Sequence, residues 1–242
     1  MGTLIKVLVV AILSILLSSC QFDLNLGSGE KGNGNVVNED RVASESFTIV
    51  DASEGLDVVI IQGDNTSVKV EADENIINLI QTEISNNRLK IHTSSPVGWA
   101  KSKKVIVTLP IVTALESSSG ADIEVEGELN SDHIKLDASS GSDIHVTLKA
   151  NKVEASTSSG ADIKIYGSTE SLYANASSGS DIKASNLTAL NAYAKASSGA
   201  DISVNCTELL DAKSSSGGDI HYDGNPKVID KKGSFGGDIQ GN

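Results

Sequence analysis

From Ile111 onward the chain alternates apolar and polar residues with a period of two, and Ser-Ser-Gly-x-Asp-Ile segments interrupt the alternation at intervals. Three residues after each glycine stands an isoleucine: Ile123, Ile144, Ile163, Ile182, Ile202, Ile220 and Ile239. Five residues after it stand Val125, Val146, Ile165, Ala184, Val204 and Tyr222. Counting back in steps of two gives Ser140, Ala138, Leu136 and Ile134 in one copy, and Ser178, Ala176, Ala174 and Leu172 in another. The positions between are mostly polar: Lys135, Asp137, Asn175, Asp211 and Lys213. Alternation on both sides of a glycine is strand chemistry, and no helical face survives the count.

The glycines, Gly120, Gly141, Gly160, Gly179, Gly199, Gly217 and Gly236, recur about every 18 to 21 residues. A strand, a glycine corner and a second strand within that length form one coil of a solenoid, which cannot bury its inward side chains alone. Stacking coils about 4.8 Å apart pairs the backbone groups in parallel ladders and aligns equivalent residues in columns. The expected fold is all-β, a right-handed parallel β-helix. Its repetitive part runs over 111–242 and would form a rod roughly 30–35 Å long. The last copy, Phe235-Gly236-Gly237-Asp238-Ile239, departs from Ser-Ser and reads as a terminal cap.

Residues 45–110 are strand-rich and irregular, like the start of the same solenoid with an excursion. Phe47–Val50 and Leu56–Ile60 flank a corner at Gly55. Asp73-Glu74-Asn75-Ile76 predicts an N-cap and a short helical turn. Asn86-Asn87 predicts a hairpin joining Thr82–Ser85 to Leu89–His92, and Val105–Pro110 re-enters the repeat.

The first residues read as a targeting segment. Lys6 precedes an apolar run, Val7 to Leu17, too short to span a bilayer comfortably. The run ends in Leu17-Ser18-Ser19-Cys20, similar to a bacterial lipobox, which makes 1–19 a signal peptide and Cys20 the acylated residue. Two or more acyl chains give stable membrane anchoring where one does not. Gln21 follows the cysteine where an inner-membrane retention signal usually has Asp, so the outer membrane is the expected location, on either its periplasmic or its external face. Residues 20–44 then read as the lipidated cysteine and a Gly-rich flexible tether.

Composition narrows the picture further. With 3% aromatic residues the core must be built from small and branched aliphatics. The formal net charge of −13 disfavours nucleic acid, which is bound by Lys/Arg clusters. With Cys20 acylated, Cys206 has no disulfide partner; it shares inward parity with Ile202 and Val204 and reads as a small buried hydrophobe.

The order Gly-Leu-Asp-Val-Val-Ile, Leu-Lys-Ile, Val-Ile-Val-Thr-Leu-Pro and repeated Ser-Gly-x-Asp-Ile resembles the auto-transporter adhesin head GIN family, from about Phe47 to Gln240. That resemblance implies an envelope lipoprotein with a right-handed β-helix. It brings no enzymatic residues to carry over.

Two sets of residues could carry chemistry. The column Asp122, Asp143, Asp162, Asp181, Asp201, Asp219 and Asp238 could cap the glycine corners in Asx-type turns, or the first six could hold Ca²⁺ between coils. Carboxylates about 5 Å apart repel by roughly 1 kcal/mol per pair even in water, so something must offset the column. Nearby positive charge at Lys164, Lys183, His145 and His221 favours capping, and no other cofactor is indicated. Tyr173 and Tyr193, outward on successive coils, form an aromatic ladder that could bind sugar or simply fill surface; Trp99 is the one tryptophan. A pectin-lyase-type polysaccharide enzyme shares the β-helix, but Asn-Thr-Asp, Asp-Asp and Gly-His-Gly motifs do not occur, and Arg41 and Arg88 lie outside the repeats. A symmetric ladder also lacks the asymmetric constellation that acid–base catalysis requires. The reading is a non-catalytic, adhesin-like binding or scaffolding module with no catalytic residues, attached to the membrane by its acyl chains and meeting a glycan or protein ligand; a purely structural envelope spacer is the other non-catalytic reading.

Overall fold

The computed structural model describes residues 29–241; Cys20 and the leader lie outside them. The strands are β1 (Val36–Arg41), β2 (Ile49–Ala52), β3 (Asp57–Gln62), β4 (Ser67–Asp73), β5 (Ile80–Ser85), β6 (Arg88–Thr93), β7 (Lys103–Leu109) and β8 (Ala114–Ser117). The long strands of the repeats follow: β9 (Asp122–Ser139), β10 (Asp143–Ser158), β11 (Asp162–Ser177), β12 (Asp181–Ser197) and β13 (Asp201–Ser215). The chain ends in β14 (Asp219–Asp223), β15 (Val228–Ser234) and β16 (Asp238–Gly241). Together they make a parallel β-solenoid of about 7 turns.

Adjacent coils pair in register, Ile123 with Ile144, Ile144 with Ile163, and so on through Ile220 with Ile239. The first six of these isoleucines are at most 1% exposed, as the alternation predicts. Ile239, on the last described strand, is partly buried and packs against the same core. Each fully buried Ile or Leu contributes roughly 1.5–3 kcal/mol over leaving it in water. Small residues at Ala138, Ala176 and Ala196 fill the same interior from the opposite wall. Cys206 sits fully buried among them.

The corners differ from the sequence pattern in one respect. The serine before each glycine, inward by simple parity, is exposed at Ser140, Ser178 and Ser216. It and the glycine are both left-handed, with φ of 53° to 59° at Ser119, Ser140, Ser159, Ser178, Ser198 and Ser216 and 66° to 80° at the seven glycines. The Ala121 N–H donates to the Ser118 carbonyl (3.2 Å), and Ala161 and Gly218 make the same bond at their corners. Two left-handed residues closed in this way have the pattern of a type I′ turn. Only the serine before the glycine leaves the alternation; the residue after the glycine keeps the inward parity, and Ala121, Ser142, Ala161, Ser180 and Ala200 are all buried. The Ser142 hydroxyl then donates to the Ser117 carbonyl (2.8 Å) and accepts the Ser139 N–H (3.1 Å). Corner amides also reach the next coil, as from Gly141 N–H to the Ser159 carbonyl (3.1 Å).

The first half joins the solenoid out of sequence order. β2 and β3 stack in parallel on β8 and β9, and β6 and β7 stack on the other side of β2 and β3. Val105–Leu109 therefore does not lead directly into the repeat; the chain crosses over β2–β3 to reach β8. Arg88 ties the three coils together, 3.2 Å from Asp51 and 2.5 Å from Glu116. β4 runs antiparallel to β7, and β1 antiparallel to β4, so the parallel stack stops at this end. The expected hairpin is present as β5–β6, with Asn86 and Asn87 both left-handed.

Asp73 is not a helix cap. The only helical turn among the described residues is a 3-10 turn, Ile77–Leu79, with no side-chain cap. Asp73 is instead buried and accepts N–H groups from Gly34 (2.7 Å), Ser102 (3.0 Å) and Lys101 (3.2 Å). It holds Gly32–Asn35 and the β6–β7 loop against each other, so residues 29–41, read from composition as tether, are packed on the solenoid.

Candidate binding face

In-register parallel strands place equivalent outward side chains at the spacing of stacked aromatic rings. One such column reads Lys135, Glu154, Tyr173, Tyr193, Asp211 and Asp230. Tyr173 and Tyr193 use the spacing fully: their centroids are 4.6 Å apart and their planes 7° from parallel. The neighbouring column carries Ser156, Asn175, Lys195 and Lys213. All of these but Lys135 and Asp230 line an open groove of about 510 Å³.

Charge brackets the tyrosines along the axis. On one side Lys152 pairs with Glu154, and its ammonium lies 5.0 Å from the Tyr173 centroid. The Lys152 bond holds the Glu154 carboxyl below its ordinary value and the Lys152 ammonium above its own, while His133 stands 3.2 Å from the same carboxylate. On the other side Lys213 pairs with Asp211 at 3.0 Å.

The ring faces are thus largely spoken for. Each tyrosine covers one face of the other, and Lys152 covers the far face of Tyr173. What projects outward from the 40%-exposed Tyr173 is ring edge and hydroxyl. A sugar would meet a rail of phenols flanked by amides and ammoniums rather than an open aromatic platform.

The aspartate column is also assembled in register and is longer than the repeat alone indicates. Asp57 pairs with Asp122 and continues it, and Lys104 on β7 stands beside Asp57 at its end. The spacing Gly55-Leu56-Asp57-Val58 carried that signal in the sequence. Burial, with the carboxylates of Asp143 and Asp57, pushes Asp122 above its ordinary value; burial, with Asp181 and Asp219, does the same to Asp201. Lys183 offsets the repulsion midway, reaching Asp162 at 2.9 Å and Asp181 at 3.0 Å, and those bonds raise its own pKa.

Side-chain caps by these aspartates are not what closes the corners; the backbone turn does that. Where an aspartate of the column accepts a backbone N–H across coils, it is from the next coil, as Asp219 does from Asp238 at 3.1 Å. Among the described residues no three His, Cys, Asp or Glu side chains gather into a metal-sized cluster. His145 lines a groove with Asp57, Asp122 and Asp143, while His221 lies several coils away beside Asp201.

Stacked columns and a filled interior define a parallel β-solenoid. The chain belongs to the family described as "Putative auto-transporter adhesin, head GIN domain", whose model matches residues 46–226. In structure it is similar to a "putative adhesin" from Bacteroides fragilis, with a TM-score of 0.82 and 22% identity over 88% of this chain and 100% of that one. It is also similar to a "putative lipid binding protein" from Parabacteroides distasonis, with a TM-score of 0.72 and 20% identity over 88% and 98%. A "putative adhesin" from Parabacteroides merdae has a TM-score of 0.69 and 18% identity over 88% and 98%. No curated relative matches the chain in sequence. At these identities the structural likeness concerns the fold. No helix among the described residues is long and apolar enough to cross a membrane.

Proposed function

We propose that the chain is a lipoprotein of the outer membrane, acylated at Cys20, whose solenoid binds an extended hydroxyl-rich polymer, a glycan, without transforming it. The observation that carries this reading is the Tyr173–Tyr193 rail in an open groove, flanked by Ser156, Asn175, Lys195 and Lys213. Phenol hydroxyls, amides and ammoniums in straight columns suit a ligand that repeats along its length. A stack of like residues in register does not converge a nucleophile, a base and an orienting group on one point, as catalysis requires.

The test is a glycan array probed with the wild-type protein and with a Tyr173→Ala/Tyr193→Ala double variant, alongside protease shaving of intact cells. Binding by the wild type, its loss in the variant and cleavage of the solenoid on intact cells are the expected results. Equal binding by both proteins would remove the tyrosine face from the account. Full protection from protease and no glycan bound would make the molecule a periplasmic scaffold or spacer.

A further inference from the structure

Trp99 is 71% exposed in a chain with one tryptophan and 3% aromatic residues. It lies in the β6–β7 loop, which carries Pro96, Val97 and Ala100, and between Thr93 and Ser102 the sole charged residue is Lys101. An acidic chain of net charge −13 has therefore kept carboxylates out of this loop. Val97 and Ala100 pack on the core and fix the loop, while the indole is left in water.

The loop is also where the chain enters from its N-terminal side. Gly32 N–H donates to the Trp99 carbonyl (2.8 Å), Glu30 N–H to Pro96 (2.9 Å), and Gly98 N–H to Glu30 (3.0 Å). The crossing is close: a Cβ at Gly29 would fall 2.4 Å from the Pro96 oxygen. The nine peptide links from Cys20 to Gly29 span at most about 30 Å. An acylated Cys20 thus keeps this end of the solenoid next to the bilayer. An indole is favoured at the lipid headgroup level, where its apolar body is buried and its N–H remains wet.

We propose that the Pro96–Lys101 loop is a membrane-docking surface, with Trp99 inserted among the headgroups of the bilayer that holds Cys20. The inference rests on the acylation proposed above. It makes the attachment two-point, acyl chains plus indole, and sets the orientation of the solenoid on the membrane.

Because Trp99 is the one tryptophan, its fluorescence reports on this contact alone. The acylated mature protein is reconstituted in phosphatidylethanolamine/phosphatidylglycerol vesicles, with and without bromine on the upper acyl carbons. Expected are flotation with the vesicles, a blue-shifted emission and strong quenching by the brominated lipid, consistent with a depth of about 5–10 Å. A Trp99→Phe/Tyr173→Trp variant, with its indole on the glycan face, should float but show neither shift nor quenching. Flotation with water-like Trp99 emission would overturn the docking and leave the anchor standing. Equal quenching of the two indoles would also overturn it. Failure to float would remove the anchor, and the docking with it.

Discussion

Lys231 places its ammonium 4.3 Å from the centre of the Tyr222 ring on the last coil. Both belong to inward columns: Lys231 is in register with buried Ala212, and Tyr222 with buried Val204. An aromatic ring with a cation above it thus stands in the inward columns beside β15, and an inward charge on an edge strand opposes growth by edge pairing. Val228, Ile229 and Phe235, at 57%, 47% and 89% exposed, show how much apolar surface lies beside it. Replacing Lys231 by Val should shift the protein to larger species with rising concentration, relative to wild type, in sedimentation velocity. An unchanged distribution would mean that the cation plays no part in ending the stack.

The glycines divide into two kinds, and denaturation can tell them apart. At Gly160 φ is +72° and a Cβ would meet nothing within 4 Å, so Gly160→Ala strains only the backbone and should lose about 1–2 kcal/mol. At Gly167 φ is +110° and a Cβ would stand 1.9 Å from the Leu148 carbonyl oxygen of the preceding coil. Gly167→Ala must push two coils apart and should lose about 3 kcal/mol or more in urea unfolding. Equal losses would refute the distinction.

Asp122 and Asp201 titrate above their ordinary values, so the folded chain holds their protons more tightly than the unfolded one. Their charged forms destabilise the fold: this penalty is absent below the unfolded pKa of about 3.9 and grows as pH rises through the higher folded values. Asp122→Asn/Asp201→Asn should therefore have a higher urea midpoint than wild type at pH 7, the gap closing as pH falls. The opposite holds for Asp73 and Glu54. Desolvation alone would raise both, but N–H groups of Gly34, Ser102 and Lys101 hold Asp73 low, and the hydroxyl and N–H of Thr93 hold Glu54 low. Their stabilisation is present above the ordinary carboxylate range and is lost as pH falls through the depressed values.

Burial raises the pKa of the Cys206 thiol and removes it from solvent. In a Cys20→Ser chain, a water-soluble thiol reagent at neutral pH should leave Cys206 unlabelled until denaturant opens the solenoid. Fast labelling of the folded protein would place an opening between β12 and β13.

The coil architecture was legible because alternation and a fixed repeat both act at the level of single residues: Ile144 and Gly141 announce a buried strand position and a corner whatever surrounds them. Asp57 escaped the aspartate column because its copy, Gly55-Leu56-Asp57-Val58, lacks the Ser-Ser prefix. The crossover that puts β7 on the far side of β3 left no local trace, since parallel pairing is indifferent to chain order. Asp73 looked like a cap from its neighbours, whereas its partners Gly34 and Lys101 are distant in sequence. For the tyrosines, parity predicted that Tyr173 and Tyr193 would meet; the Lys152 lid over the outer ring depended on side-chain reach.

Because each long strand bonds chiefly to the coils immediately before and after it, the molecule is modular in one dimension. Excising residues 161–179, from one corner to the next, would join two equivalent turns and shorten the rod by a single rung of about 4.8 Å. Glu154 would then abut Tyr193 in place of Tyr173, so the same edit that trims the length dissolves the tyrosine pair. Length and surface pattern are in this way written in one unit, and lineages can lengthen or re-letter such a rod by duplicating or deleting whole rungs.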